Sequence, residues 1–296
     1  MSVPGKRAPK FPLRLDDLGS RVKVARTPLA PVSARLFTSA PKLQAAAAAA
    51  RSVLRPQRPV EHAHVDASRR VAPSGVGMDS SDVRARMAQR LGATGVSNPA
   101  VLNAMAIVPR HLFVDAALVA QAYEDTSLPI GHGQTISKPS VVARMIELLL
   151  GGVSARQSNS LGRVLEIGTG CGYQAAVLAR LASQVVSVER LRPLHDKARA
   201  LLAPGRPGNL RLVYGDGMRG HPPNAPYDSI IAAAVGDKLP AAWLEQLAVG
   251  GRLISPLRQP GSDRQVLMVV DRTEQGYERN AFEAVHFVPL KSGLVA

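Results

Sequence analysis

The chain has 296 residues, of which 46% are hydrophobic and 20% are charged, and this composition, typical of a folded globular protein, excludes disorder throughout. Its formal charge is +15, and its single cysteine, Cys171, excludes an intrachain disulfide and a cysteine-based zinc site. The longest apolar runs are far shorter than the roughly 20 residues that cross a bilayer, so we expect no membrane span. The single cysteine is typical of a cytoplasmic protein, and we expect no bound metal.

Most of the excess positive charge lies in the first quarter of the chain. Residues 1–77 contain 14 Lys and Arg against 4 Asp and Glu, and nine prolines interrupt almost every candidate helix there. Because little apolar surface is available to offset the entropy of ordering, we expect a disordered basic leader rather than a domain. A solvated tail is favoured over an arm that contacts nucleic acid or anionic lipid, and over an organelle-targeting segment.

From Met78 onward the pattern becomes regular and predicts one domain over residues 78–296. Helices are expected at 81–91, 98–106 and 140–150, each with a polar cap, a proline in its first turn or a glycine at its end. Strands are expected at 164–167, 185–188, 210–214, 229–233 and 253–254, with helices at 173–181, 193–202 and 241–247 between them.

Apolar strands that alternate with helices predict an α/β fold, with a doubly wound, mostly parallel sheet that helices cover on both faces. Two further strand candidates, at 265–270 and 284–288, have no helical segment between them. We therefore expect these two strands to pair as an antiparallel ribbon at the edge of the sheet. Trp243 lies in a helix beside apolar residues, and we expect it to pack in the core.

A glycine-rich turn, Gly168-Thr169-Gly170-Cys171-Gly172, follows the first strand of this series. Glycines at such a turn let the backbone bend tightly and approach a ligand closely. The turn departs from the dinucleotide pattern Gly-x-Gly-x-x-Gly, and no Lys-Ser/Thr pair follows it as a phosphate-binding loop requires.

Acidic residues near the carboxyl ends of three strands sharpen the interpretation of this turn. Glu189 ends the second strand, where its carboxylate could accept both ribose hydroxyls of an adenosine. Asp216, in the segment Gly215-Asp216-Gly217 after the third strand, could accept from the adenine amine. Glu166 adds negative charge, which suits a sulfonium and repels a pyrophosphate. Together these residues favour an S-adenosyl-L-methionine pocket over a nicotinamide pocket.

Several unlinked motifs, in the right order over residues 80–290, resemble protein-L-isoaspartate O-methyltransferases. They are VPRHLFV at 108–114, LPIGHGQTIS at 128–137, VLEIGTGCGYQAAVLA at 164–179, GDG at 215–217, APYD at 225–228 and VHFVPL at 285–290. The resemblance implies a class I, Rossmann-like methyltransferase that uses S-adenosyl-L-methionine. Its implied substrates are isoaspartyl-containing proteins and peptides, which receive a methyl group on the free α-carboxylate. The resulting ester then closes to a succinimide, which reopens partly to normal aspartate.

The resemblance also implies roles for particular residues. Ser137 takes the position of the active-site serine, and Thr135 and Ile136 line the substrate cleft. The implied cofactor-binding residues are Glu166, Gly168, Thr169, Gly170, Glu189, Asp216 and Gly217. A carboxylate with a pKa near ~4 is already ionised at neutral pH, so Ser137 is expected to donate a hydrogen bond rather than act as a nucleophile.

Two departures from the family pattern concern the turn and the substrate loop. Cys171 stands where the family more often has serine, and AAAVGDK at 232–238 replaces the usual proline-rich stretch. Two alternatives stay open: a methyltransferase with the same cofactor that acts on a small molecule or RNA, and a non-catalytic module whose basic leader binds nucleic acid. The intact loop at residues 134–137 favours the enzyme over the module.

Overall fold

The computed structural model of the chain describes residues 81–205 and 207–296. The leader expected at residues 1–77 therefore lies outside the described residues. Among those residues, no helix has the length and apolar character needed to cross a membrane.

Two helices and two short 3₁₀ turns precede the sheet. Helix α1 is Ser81–Ala93 and α2 is Pro99–Ile107, and 3₁₀ turns follow at Arg110–Phe113 and Ala116–Gln121. The side chain of Asn98 caps α2 by accepting hydrogen bonds from the N–H groups of Ala100 and Val101. This cap, together with a proline in the first turn, explains why the helix begins at the predicted position.

A small antiparallel hairpin, which the sequence reasoning did not predict as strands, follows these turns. It consists of β1, Leu128–Gly131, and β2, Gln134–Ile136. The two residues of its turn, His132 and Gly133, have φ values of 54° and 67°. Positive φ at both central positions is the geometry that a tight hairpin turn requires. The hairpin leads through Ser137 and Lys138 into helix α3, Pro139–Leu150, and then α4, Val153–Ser158.

The main sheet has seven strands in the order β5-β4-β3-β6-β7-β8-β9. The strands are β3, Arg163–Ile167; β4, Gln184–Glu189; β5, Leu210–Tyr214; β6, Tyr227–Ala232; β7, Leu247–Arg258; β8, Gln265–Thr273; and β9, Gly276–Val285. The intervening helices are α5, Tyr173–Leu178; α6, Arg192–Leu202; and α7, Ala241–Gln246. Strands β3 to β7 run parallel, β8 pairs antiparallel with β7, and β9 pairs antiparallel with β8.

Buried side chains lie on both faces of this sheet. Leu165 and Val188 belong to a cluster that contains Trp243 of α7, whereas Val164 and Val185 belong to the cluster that contains the apolar faces of α3 and α5. Successive residues of a strand point to opposite faces, which explains this division. The predicted α/β fold, with its mostly parallel sheet, helices on both faces and antiparallel edge, is confirmed.

The position predicted for the last strand is wrong. The sequence pattern indicated residues 284–288, whereas β9 is Gly276–Val285 and its interior residues are exposed. A strand with no buried face lacks the alternation of apolar and polar residues on which strand prediction depends. Residues 286–290 instead lie against the loop after β6, where the N–H of Val235 donates to the carbonyl of Val288 and the N–H of Leu290 donates to that of Val235.

The chain order of the sheet reverses beside β3. From β3 the chain proceeds outward through β4 to β5, and it then returns to the opposite side of β3 to form β6. In open α/β sheets such a reversal leaves a crevice at the carboxyl ends of the central strands, and ligands bind there. The fold therefore places the candidate site at the ends of β3, β4 and β6.

Candidate active site

One cavity at the carboxyl ends of these strands brings together most of the residues expected to form the site. The residues from that set that line it are Thr135, Ile136, Ser137, Gly168, Thr169, Gly170, Glu189 and Gly217. The other two expected residues, Glu166 and Asp216, lie outside the lining. Residues from the hairpin and from the glycine turn thus face the same space, although they are separate in sequence.

The glycine turn forms the wall of the cavity nearest β3. Gly168 and Gly172 have φ values of 91° and 92°, in the left-handed region that favours glycine. A Cβ at Gly172 would lie 2.8 Å from the Cδ1 atom of Leu202, so a side chain there would also collide with α6. The turn therefore exposes backbone, rather than side chains, to the cavity at its glycine positions.

Glu189 lies at the end of β4 with its carboxylate held by main-chain groups on both sides. Its Oε2 accepts a hydrogen bond of 2.9 Å from the N–H of Gly170, and its Oε1 accepts one of 2.9 Å from the N–H of Leu191. An ionised carboxylate has about four acceptor positions, so each oxygen retains capacity for one more donor. The two main-chain donors hold the side chain in place at the lining of the cavity.

Glu166, a residue of β3 two positions before Gly168, is completely buried. Its Oε2 accepts from the hydroxyl of Ser187 at 2.5 Å, and that hydroxyl lies 2.6 Å from the hydroxyl of Thr169, which lines the cavity. Burial raises the pKa of Glu166 to about 8, and repulsion from Glu189 acts in the same direction, against the nearby polar groups of Ser187 and Gln174.

The expectation that Glu166 supplies negative charge to the cavity therefore needs correction. A carboxyl group with a pKa of about 8 is mostly protonated at neutral pH. It connects with the cavity through the hydroxyls of Ser187 and Thr169 and through Gln174, which lines the cavity. The sequence did not reveal the burial of Glu166, because the side chain of a strand residue just before a glycine turn can point either into the cavity or away from it.

The position of Asp216 differs from the expected one as well. Its Oδ1 accepts from the N–H of Met218 at 2.9 Å and caps the short 3₁₀ turn Gly217–Arg219. Its Oδ2 accepts from the N–H of Gly293 at 2.8 Å. Both oxygens thus bind main-chain groups of the protein, and Asp216 is not among the residues that line the cavity, so its contact with an adenine amine stays a prediction. The neighbouring Gly217 does line the cavity.

The segment Thr135–Ser137 also lines the cavity. Among the residues that the structure describes, no group forms a hydrogen bond with the Ser137 hydroxyl, so that hydroxyl is available to a ligand. The main-chain carbonyl of Ser137, in contrast, accepts a hydrogen bond of 2.7 Å from the guanidinium of Arg110. The Ser137 hydroxyl, on a backbone held by Arg110, and the carboxylate of Glu189 thus belong to residues that line the same cavity.

Comparison with known proteins places this arrangement in a family. The model of the protein-L-isoaspartate(D-aspartate) O-methyltransferase family matches residues 83–294. The chain belongs to the protein-L-isoaspartate O-methyltransferase family. The family predicted from the motifs is thereby confirmed.

Curated relatives and solved structures agree with this assignment. The protein-L-isoaspartate O-methyltransferase of Methylibium petroleiphilum is 55% identical over 294 residues, which cover 99% of each chain. That of Leptothrix cholodnii is 61% identical over 240 residues, which cover 81% of this chain and 84% of the relative. A solved structure of a protein-L-isoaspartate O-methyltransferase is 30% identical, with a TM-score of 0.64, and the match covers 71% of this chain and 67% of that one.

In this member of the family, the C-terminal segment completes the cavity, which sequence reasoning did not predict. Val288, Pro289, Leu290 and Lys291 line it. Beyond them, the guanidinium of Arg190 donates to the carbonyls of Ser292 and Gly293. The N–H of Arg192 donates to the carbonyl of Val295, and the N–H of Val295 donates to that of Arg190. The motif VHFVPL gave the only sequence signal for this segment.

Two more residues lie outside the cavity lining and form hydrogen bonds with the main chain of lining residues. Trp243 is buried as predicted, and its Nε1 donates to the carbonyl of Gly217 at 2.8 Å, which fixes a residue of the lining. Arg110 is buried and contacts Ser137 as described above. The sequence indicated a role for Arg110 only in that it is an arginine inside the otherwise mostly apolar motif VPRHLFV.

Proposed function

We propose that the chain transfers a methyl group from S-adenosyl-L-methionine to the free α-carboxylate of L-isoaspartyl residues in damaged proteins and peptides. The observation that carries the proposal is that the Thr135–Ser137 segment and Glu189 face the same cavity in a chain whose family match spans residues 83–294. The first supplies a hydrogen-bond donor for a carboxylate, and the second supplies an acceptor for a ribose.

The residues of the cavity fit an adenosyl cofactor. A Cβ at Gly170 would lie 3.2 Å from the Cδ1 atom of Ile130, in space that the glycine leaves open at the wall. Glu189 retains acceptor capacity for a diol. We propose that the cofactor-binding residues are Gly168, Thr169, Gly170, Glu189 and Gly217. Glu166 and Asp216 act from outside the cavity, through Ser187 and through the C-terminal segment respectively.

The proposed chemistry requires positioning rather than proton transfer. S-adenosyl-L-methionine supplies a methyl group that its sulfonium already activates. The substrate carboxylate, with an ordinary pKa near ~4, is ionised at neutral pH and needs no general base. Ser137 donates a hydrogen bond to one carboxylate oxygen and directs the other toward the methyl group, while Thr135 and Ile136 line the substrate cleft. Holding the two reacting atoms in line is a recognised source of rate enhancement.

A pair of isomeric peptides tests this function. The purified chain is incubated with labelled S-adenosyl-L-methionine and either an L-isoaspartyl peptide or the aspartyl peptide of the same sequence. We expect methyl ester on the first peptide only. Equal labelling of both peptides, or labelling of an RNA fragment or a small carboxylic acid in place of the isoaspartyl peptide, would contradict the proposal and favour the alternative substrates.

We also propose the organisation and location of the chain. Residues 78–296 form the methyltransferase domain, and residues 1–77 form a basic leader that catalysis does not require; the family match to residues 83–294 supports this boundary. A cytoplasmic location is supported by the single cysteine of the sequence, Cys171, which has no second cysteine in the chain to form an intrachain disulfide. We expect the charge of the leader to cause at most salt-sensitive association with nucleic acid.

A further inference from the structure

Arg110 is a completely buried cation that binds only uncharged acceptors. Its Nε donates to the carbonyl of Ala122 at 2.8 Å, and its Nη2 donates to the carbonyls of Ser137 at 2.7 Å and Thr126 at 3.4 Å. In the part of the chain that the structure describes, it forms no ion pair with a carboxylate. Burial lowers the pKa of Arg110, but an arginine remains protonated in a protein.

The surroundings of this guanidinium connect it with the cavity. Its central carbon lies 4.9 Å from the ring centroid of Tyr173, which lines the cavity. The three carbonyls that it binds come from different parts of the chain: the end of the Ala116–Gln121 turn, the loop before β1, and the segment after β2. The side chain of Arg110 thus joins the Thr135–Ser137 segment to two segments that lie outside the cavity lining.

A buried charge without an ionic partner is costly, and an apolar side chain of similar volume would fill the same space at lower cost. What such a side chain could not do is hold separate carbonyls at fixed angles. The planar guanidinium presents five donors in a rigid fork, whereas a lysine ammonium offers a compact charge on a flexible stem. The directional contact with Ser137 therefore distinguishes Arg110 from a packing residue.

We propose that Arg110 is a positioning residue for methyl transfer: its guanidinium fixes the backbone at Ser137, so that the hydroxyl of Ser137 meets the substrate carboxylate. This inference rests on the proposed function, since it assigns the action of Arg110 to the hydroxyl that is proposed to hold the isoaspartyl group. Arg110 does not itself touch the substrate.

A double-mutant cycle tests the proposal. Arg110→Lys keeps the charge but loses the fork, and we expect it to lower kcat/KM for an isoaspartyl peptide by about tenfold or more. Affinity for S-adenosylhomocysteine should stay within about twofold, because Arg110 contacts no cofactor-binding residue. In a Ser137→Ala background the same substitution should lower kcat/KM by less than about twofold, because the hydroxyl that Arg110 positions is already absent.

Arg252→Lys is the matched control. The Arg252 guanidinium pairs with Asp271 through two contacts, of 2.7 Å and 2.8 Å, and donates to the carbonyl of Leu148. None of these three residues lines the cavity. This substitution removes a comparable fork from the fold, so it should lower the thermal midpoint while kcat/KM for the peptide stays close to the original value.

The outcomes separate the two proposals. If the unaltered chain does not methylate the isoaspartyl peptide, the proposed function fails. If it does, and Arg110→Lys has the same effect in both backgrounds or has none, the positioning role is overturned. Should Arg110→Lys fail to fold, Arg110→Gln, which retains two N–H donors, is carried through the same cycle and is judged by the same comparison.

Discussion

The N–H of Gly293 donates a 2.8 Å hydrogen bond to Oδ2 of Asp216, across 77 positions of the sequence. This contact attaches the C-terminal segment to the end of β5. The contacts of Arg190 with Ser292 and Gly293 attach the same segment to the end of β4. The last residues of the chain therefore form a strap between two strand ends that border the cavity.

Removal of this strap should shorten the residence of the cofactor. A chain that ends at Lys291 loses the main-chain contacts with Asp216 and Arg190, each worth roughly 0.5–1.5 kcal/mol. Because residues 292–296 are exposed and bury little surface, the thermal midpoint should fall only by the few degrees that the lost hydrogen bonds account for. We expect S-adenosylhomocysteine to dissociate about tenfold faster, measured by stopped-flow competition. Leu294→Ala, which keeps every main-chain contact, is the control; equal dissociation rates for the truncated and full chains would contradict the role of the strap.

Glu189 should carry much of the affinity for the ribose. Glu189→Ala removes two acceptors for charge-assisted hydrogen bonds, each worth roughly 1.5–3 kcal/mol. Calorimetry should show that affinity for S-adenosylhomocysteine falls by about tenfold or more. Glu278→Ala, on the exposed strand β9, changes the net charge equally and should leave this affinity unchanged. If both variants bind equally well, Glu189 does not contact the cofactor.

Glu166 should make stability decrease with rising pH. The folded state holds its proton up to a pH of about 8, whereas the unfolded state releases it near the ordinary value of 4.5. The folded state therefore binds the extra proton between these values, and its contribution to the free energy of unfolding falls by up to about 1.4 kcal/mol per pH unit. Denaturant titrations at pH 5 to 8 should show this component in the original chain and not in Glu166→Gln.

Glu147→Gln is the control for that experiment. Partial burial acts to raise the pKa of Glu147, but hydrogen bonds from the N–H groups of Asn98 and Ser97 lower it overall. The stability that a lowered carboxyl pKa provides is complete above the unfolded value and is lost only as pH falls through the folded one. The difference between the original chain and Glu147→Gln should therefore be constant from pH 5.5 to 8, and a similarly flat difference for Glu166→Gln would show that Glu166 is ionised.

A chain that begins at Met78 should retain the activity. The cavity lining begins at Ile130, the positioning residue is Arg110, and the family match begins at residue 83. Turnover with an isoaspartyl peptide and the thermal midpoint should match those of the full chain at the same ionic strength. The expected difference is weaker salt-sensitive association with nucleic acid, because the leader carries 14 basic and 4 acidic residues. A large decrease in turnover or midpoint would show that the leader packs against the domain.

Strands β3 to β6 were predictable because each contains a short apolar run beside a turn signal, whereas β7 was predicted only at 253–254 and is Leu247–Arg258. The glycine turn could be placed as well, since its three glycines adopt the positive φ that glycine favours. The β1–β2 hairpin escaped prediction because its strands have four and three residues and one contains Pro129, so neither shows a usable alternation. Strand β9 escaped because it buries no face.

The site was predictable where function depends on residue type and not where it depends on burial. Glu189 and Ser137 line the cavity, as the position of Glu189 at the end of a strand and the resemblance of the segment around Ser137 to the family suggested. The protonation of Glu166 depends on how deeply α5 and the sheet enclose it, and the contacts of Asp216 depend on a segment 77 positions away. Neither the depth of burial nor a contact between distant segments can be predicted from the local sequence.

The hydrogen bonds of Asp216 also bear on the working life of the enzyme itself. Aspartate followed by glycine is the dipeptide most prone to isomerise, because nothing beside the glycine nitrogen hinders its attack on the carboxyl carbon. Asp216 precedes Gly217, but its carboxylate is fixed by Met218 and Gly293, and a Cβ at Gly217 would lie only 2.6 Å from the Cγ2 atom of Ile167. A carboxyl group held by two donors, next to a residue so closely packed, is not free to turn toward that nitrogen. The fold thus protects, beside its own cavity, the kind of dipeptide whose ageing creates the substrates of its family.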